Sequence, residues 1–209
     1  MAKTLSNKAK ELIKNKLRPY LENDDFSSVV SEIKSWVNPS FPWGGGSVWE
    51  EAYETAVFLY ELGVPVLEAF DEIPNDMFRG SELESVHIPS TIRVIRFDAF
   101  RDCSLLSELI LEDGLEEIWA RAFRGCSSLR SVVLPKTVNL VSHYAFTDCF
   151  DNAPIDVVVN SDVSFGTTAF KGSEVRLHVP KDIYEDTNSN INYFMTDTEH
   201  YGVEELILT

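Results

Sequence analysis

One phrase recurs in this chain at a fixed interval. Ala99-Phe100-Arg101-Asp102-Cys103, Ala122-Phe123-Arg124-Gly125-Cys126 and Ala145-Phe146-Thr147-Asp148-Cys149 place their cysteines 23 residues apart. A repeat of that length is one supersecondary unit, which buries its apolar side only by stacking on its neighbours. The expected fold is a solenoid in which equivalent residues of successive copies lie side by side.

Alignment on the phenylalanine adds a copy at each end. Phe78-Arg79-Gly80-Ser81 lies 22 residues before Phe100, and Ala169-Phe170-Lys171-Gly172-Ser173 lies 24 after Phe146. Behind each phenylalanine come spaced apolar residues: Leu83, Val86 and Ile88; Leu106, Leu109 and Leu111; Leu129, Val132 and Leu134. Ahead of it stand Ile92 and Ile95, Leu115 and Ile118, Val138 and Val141. After Cys149 only the alternation persists (Ile155, Val157, Val159; Val175, Leu177, Val179). Drift in the terminal copies is what capping an open stack requires.

These residues resemble the BspA-like leucine-rich repeat family, and the stretch from Ile88-Pro89 through Leu134-Pro135 follows its repeat closely. The resemblance covers residues 73–181. It implies an architecture and a binding surface, and brings no catalytic residue with it. The family has glycine after the isoleucine where this chain has Arg96, Trp119 and Ser142. A side chain is therefore expected to project from a turn that is normally bare.

The repeat makes physical sense by itself. Alternation puts Val132 and Leu134 on the inner strand face and Ser131 and Val133 on the outer one. The Ala-Phe pair and the cysteine become internal ladders, with phenylalanine supplying most of the buried volume and cysteine acting as a small hydrophobe. Adjacent rungs stand about 4.8 Å apart, so the outer two cysteines lie about 10 Å from one another. Ligands of one zinc sit about 2.3 Å from the ion, which cannot reach all three. Buried reduced thiols are expected; a disulfide or a partial metal site is the alternative.

Before the repeats the period becomes helical. Leu5, Ala9, Leu12, Ile13 and Leu17 form an apolar stripe among lysines, which Pro19 ends or kinks. A second helix is expected over 28–37, burying Val29, Val30, Ile33 and Trp36. The tract 38–46, with two prolines and three glycines, reads as a connecting loop, and without a following Lys-Ser/Thr it is no phosphate loop. Ser47 to Glu50 has capping-box spacing and opens a third helix that stops at Gly63. A short helix near 66–70 leads into the first repeat. The fold class is α+β: a helical cap (1–72), a short leucine-rich-repeat β-solenoid of about five repeats (73–181) and a C-terminal cap (182–209) with a strand from Val203 to Leu208. The helical region either covers the open end of the solenoid or forms a second, partner-binding or dimerising module.

Charge narrows the partners. The chain carries −16 overall; up to Ser40 there are 7 Lys+Arg against 5 Asp+Glu, or +2, so the remainder carries −18. An acidic solenoid repels nucleic acid and anionic membranes, and it either docks on a basic protein surface or is acidic for solubility alone. No signal-peptide core and no run of about 20 apolar residues is present, which predicts a cytoplasmic protein.

His87, His143, His178 and His200 are scattered, and no nucleophile elbow, zincin motif or dinucleotide fingerprint accompanies them. Glu112-Asp113 and Glu116-Glu117 read as a solvated charge run in an inter-strand turn. No enzyme, cofactor or metal is expected. Aligned strands place His87, Ile110, Val133, Val158 and His178 on one outward row, and Ser85, Glu108, Ser131, Asp156 and Arg176 on the next. The apolar part of the first row either stabilises the sheet by cross-strand packing or receives a partner or a second copy. Trp119 is the expected anchor, with Glu108 and Asp156 flanking; its truncation is expected to weaken association and leave melting unchanged. The expected function is non-catalytic protein binding through an acidic repeat surface. The alternatives are a phage-encoded or otherwise intracellular inhibitor that occupies the basic groove of a nucleic-acid enzyme, and a surface adhesion protein.

Overall fold

The computed structural model describes residues 11, 13–15, 17–19, 22, 23, 25, 27–29, 31, 32, 57–149, 154–196 and 202–209. The chain divides into two compact units, Met1–Asp71 and Glu72–Thr209.

In the first unit, helical residues occur at 11, 13–15, 17–19, 27–29, 31, 32 and 57–61. Leu17 and Val29 are buried as their stripes predict. Pro19 still has helical backbone, so it ends no earlier turn. Asp25 accepts from the Ser28 amide at 3.2 Å and caps the second segment. Phe58 and Leu59 are buried, whereas Leu62 is largely exposed. Gly63 stops the third segment: it adopts φ +79°, and its amide returns to the Tyr60 carbonyl at 2.9 Å. A single 3-10 turn, Val66–Ala69, follows. The 38–46 tract, the capping box and the stripe positions Leu5, Ala9, Leu12, Val30, Ile33 and Trp36 lie outside the described residues.

The second unit is a stack of parallel strands. Short strands β1 (Glu72–Ile73), β3 (Val94–Ile95), β5 (Glu117–Ile118), β7 (Leu140–Val141) and β9 (Ser164–Phe165) pair in that order. Long strands form the opposite side: β2 (Ser85–Ile88) pairs with β4 (Glu108–Leu111), while β6 (Ser131–Val133), β8 (Ile155–Val158), β10 (Val175–Val179) and β11 (Val203–Leu208) form a second run. The ladder is interrupted between β4 and β6. Glu117, expected in a turn, is the first residue of β5.

Two side-chain ladders, of phenylalanine and of cysteine, run through the core. Phe78, Phe100, Phe123 and Phe146 stack with ring planes within 5° and centroids 4.9–5.2 Å apart, and Phe170 continues at 6.0 Å. The same turns are joined through the backbone: the amides of Phe78, Phe100, Phe123 and Phe146 each donate at 2.8 Å to the alanine carbonyl one rung on. Beside them, Cys126 and Cys149 donate their thiols to the carbonyls of Phe100 and Phe123 at 3.2 and 3.1 Å, and Cys103 to Phe78 at 2.9 Å. The cysteine is thus more than the small hydrophobe its sequence position suggests. It adds a second hydrogen bond to a carbonyl that already accepts a backbone amide, and the Ser173 hydroxyl bonds to the Phe146 carbonyl at the last rung.

The corner two residues after each phenylalanine is left-handed, and its occupants alternate: Gly80, Asp102, Gly125, Asp148, Gly172. Aspartate tolerates this backbone better than most residues. Its carboxylate then occupies the next rung's side-chain space: a Cβ at Gly125 would lie 2.8 Å from Asp102 Oδ1, and one at Gly172 2.7 Å from Asp148 Oδ1.

Beyond β10 come two short helices, α1 (Lys181–Glu185) and α2 (Asn190–Thr196). Ile191 and Phe194 of α2 are buried, and Phe194 meets Phe165 of β9 at 5.2 Å. Asp162 anchors the start of α2 by accepting from the Ile191 amide at 3.2 Å and from Asn190 Nδ2 at 3.0 Å.

Candidate binding face

The long strands present the two outward rows that alternation predicts. His87 lies beside Ile110, and Val133, Val158 and His178 are consecutive cross-strand neighbours. Ile110 and Val133 are 47% and 52% exposed, while Val158 and His178 are half-buried. The ladder break falls between the strands of these two exposed residues. In the neighbouring row, Ser85 faces Glu108, and Ser131, Asp156 and Arg176 follow one another. Sequence reasoning missed two members. β11 continues the rows with Glu205 opposite Arg176 and Ile207 opposite His178; its own alternation held the signal, but a register shift beside Val175 hides the alignment.

The acids of the solenoid fall into two groups. Those at the turns are paired across rungs: Glu116 accepts both prongs of Arg93 at 2.8 and 3.0 Å, Glu112 accepts from His87 and from the Ser90 amide, and Asp113 meets Lys136. The charges of this stretch are exposed to solvent, as expected, and they are also paired across rungs. Hydrogen bonds from Ser90 and His87 hold the Glu112 carboxyl below its ordinary range, as Arg93 does for Glu116. Asp98, nearly buried, is raised by burial, but hydrogen bonds from Arg121 and Arg101 outweigh this and lower it overall. On the strand face the situation differs. Asp156 binds His178 and Arg176 at 2.8 and 2.6 Å, and these bonds depress its pKa, whereas exposed Glu84, Glu108 and Glu174 form no ion pair within the described residues.

Trp119 lies on the other side of the coil, just after β5, and is half-buried. Its Nε1 donates to Glu117 at 2.6 Å, the Arg96 guanidinium lies 4.6 Å over its ring, and Phe97 touches it at 4.9 Å. Arg96 is in turn paired with Glu72 at 2.6 Å. Two of the side chains that replace the expected glycines, Arg96 and Trp119, therefore brace successive rungs, and Trp119 does not join the Ile110–Val133 row. At the fourth such position the chain has Gly166, where a Cβ would lie 2.7 Å from the His143 amide.

His143 sits in a turn against Thr168. All three cysteines are free and buried, and burial pushes their thiols upward, Cys149 to about 12. Among the described residues no group of three or more His, Cys, Asp or Glu side chains could hold a metal, and no helix is long and apolar enough to cross a membrane.

A leucine-rich repeat protein of T. pallidum, known from its crystal structure, is similar over 66% of this chain and 63% of its own, with 25% identity and a TM-score of 0.46. No curated protein matches the chain. Six copies of the BspA type leucine-rich repeat match residues 69–192, one more than the five counted from the phenylalanines, and the chain belongs to that family.

Proposed function

We propose that this protein is a non-catalytic interaction module that binds another protein through its long-strand face. The single observation that carries the reading is the exposure of Ile110 and Val133 on adjoining rungs, within a fold whose other strand-borne aliphatics are mostly buried. Solenoids of this kind act as scaffolds whose outward rows select partners. The carboxylate of Glu108 on that face, with those of Glu84 and Glu174 just before β2 and β10, none in an ion pair among the described residues, supports a basic partner. The same carboxylates support a second reading, an inhibitor that fills the basic groove of a nucleic-acid-binding enzyme.

Affinity capture with the wild-type chain beside an Ile110→Asp/Val133→Asp double variant tests the reading. A stoichiometric partner lost in the variant supports it, and a partner retained by the variant moves the site elsewhere. Salt separates the two forms: a groove-filling inhibitor releases steeply as ionic strength rises, while apolar docking responds weakly.

A further inference from the structure

The second run of long strands ends at β11, and among the described residues nothing pairs with its other side. This edge is built like an interior rung. Leu177 and Val179 of β10 are fully buried, yet their partners Leu206 and Leu208 are half-buried and 44% exposed. The backbone is equally incomplete. Lys181 donates to the Thr209 carbonyl at 3.1 Å and Thr209 donates to Val179 at 3.0 Å. Backbone groups alternate in direction along a parallel strand, so Ile207 and Thr209 turn toward β10, while Leu206 and Leu208 turn theirs to the open side.

Charge indicates what the edge accepts. Asp156, Arg176 and Glu205 are consecutive cross-strand neighbours, an acid, a base and an acid. Arg176 is committed to Asp156 at 2.6 Å, and exposed Glu205 forms no ion pair within the described residues. Continuing the alternation puts a base at the next position.

We propose that the β11 edge is a second binding site, distinct from the Ile110–Val133 face, that takes an extended segment of another protein as an added parallel strand. The segment carries Lys or Arg opposite Glu205 and apolar residues opposite Leu206 and Leu208. Main-chain hydrogen bonds supply affinity and the alternating side chains supply selectivity. β10 itself has this pattern, in Arg176-Leu177-His178-Val179, where it fills the other side of β11. Charge complementarity selects a basic segment over a second copy of β11, which would bring Glu204 and Glu205 up to a chain of net charge −16.

The probe is a labelled peptide, Gly-Val-Arg-Leu-His-Val-Gly, titrated into the full chain by fluorescence anisotropy. Saturable binding is expected. Glu205→Lys should weaken it about tenfold and favour a peptide with glutamate in place of arginine. N-methylation of the peptide's histidine, whose amide faces β11, should abolish binding, while N-methylation of its leucine, whose amide faces away, should not. Absence of saturable binding, indifference to the charge swap, or equal losses from both methylations would overturn the proposal. So would sedimentation showing a dimer that Glu205→Lys dissociates, which assigns the edge to a second copy. Ile110→Asp/Val133→Asp should leave peptide binding unchanged, so failure at the edge and failure at the face are read separately.

Discussion

Cys126 donates its thiol hydrogen to the carbonyl oxygen of Phe100, one rung back, at 3.2 Å. The bond explains why serine can replace cysteine at the last rung, where Ser173 makes it to the Phe146 carbonyl. Cys126→Ser should therefore keep the donor and cost less than about 0.5 kcal/mol, while Cys126→Val should cost about 1 kcal/mol by removing one of the two bonds to the Phe100 carbonyl, which keeps the Cys103 amide at 3.3 Å. Urea unfolding of both variants checks the order. A raised pKa and full burial also predict that all three thiols resist a disulfide reagent until the chain unfolds.

Phe123 is stacked on both sides, at 5.2 Å from Phe100 and from Phe146. Phe123→Ala should cost about 3–5 kcal/mol, the usual cost of truncating a buried aromatic. Denaturant melts would show a large drop in midpoint; a loss below about 1 kcal/mol would mean that the stack collapses to fill the space.

The aspartate–glycine alternation makes a prediction about pairs. Gly125→Asp should destabilise by about 1–3 kcal/mol, because the residue has φ +76° and its side chain would meet Asp102. Adding Asp102→Gly should recover part of that loss by clearing the carboxylate that the new side chain meets on the preceding rung. Additive losses in a double-mutant cycle would exclude the contact.

Asp98 sets an acid limit. Its pKa is lowered in the folded chain, since the bonds from Arg121 and Arg101 outweigh burial. Its contribution is therefore fully present above the unfolded carboxyl pKa of about 4 and is lost as pH falls further through the folded value. Asp98→Asn should flatten the stability profile below about pH 4. An unchanged profile would assign acid sensitivity to other carboxylates, Asp156 first among them.

Trp119→Ala should lower stability, by about 1–2 kcal/mol, because it removes the ring under Arg96 and the bond to Glu117. This differs from the sequence expectation of unchanged melting. Thermal melts of Trp119→Ala beside Trp119→Phe check it, since phenylalanine keeps the ring and loses only the donor.

Much of the solenoid was legible before any coordinates, and the reason is periodic. Phe78, Phe100, Phe123, Phe146 and Phe170 recur because a rung buries its apolar side only against another rung. That one requirement announces the stack, the inward ladders and the outward rows containing Ile110 and Val133. Tertiary structure alone decided what depends on contacts between particular side chains on different rungs. The sequence leaves Trp119 looking like a projecting anchor, and only the positions of Arg96, Glu117 and Phe97 show it to be a brace. Glu112 and Glu116 read as a charge run because their partners, His87 and Arg93, stand more than 20 residues away. The interruption between β4 and β6, and the register shift that brings Glu205 and Ile207 into the rows, have no periodic signature. A repeat specifies which residues face inward, because burial follows the period; how the outward charges pair, and where the sheet is left open, is settled only when the rungs meet.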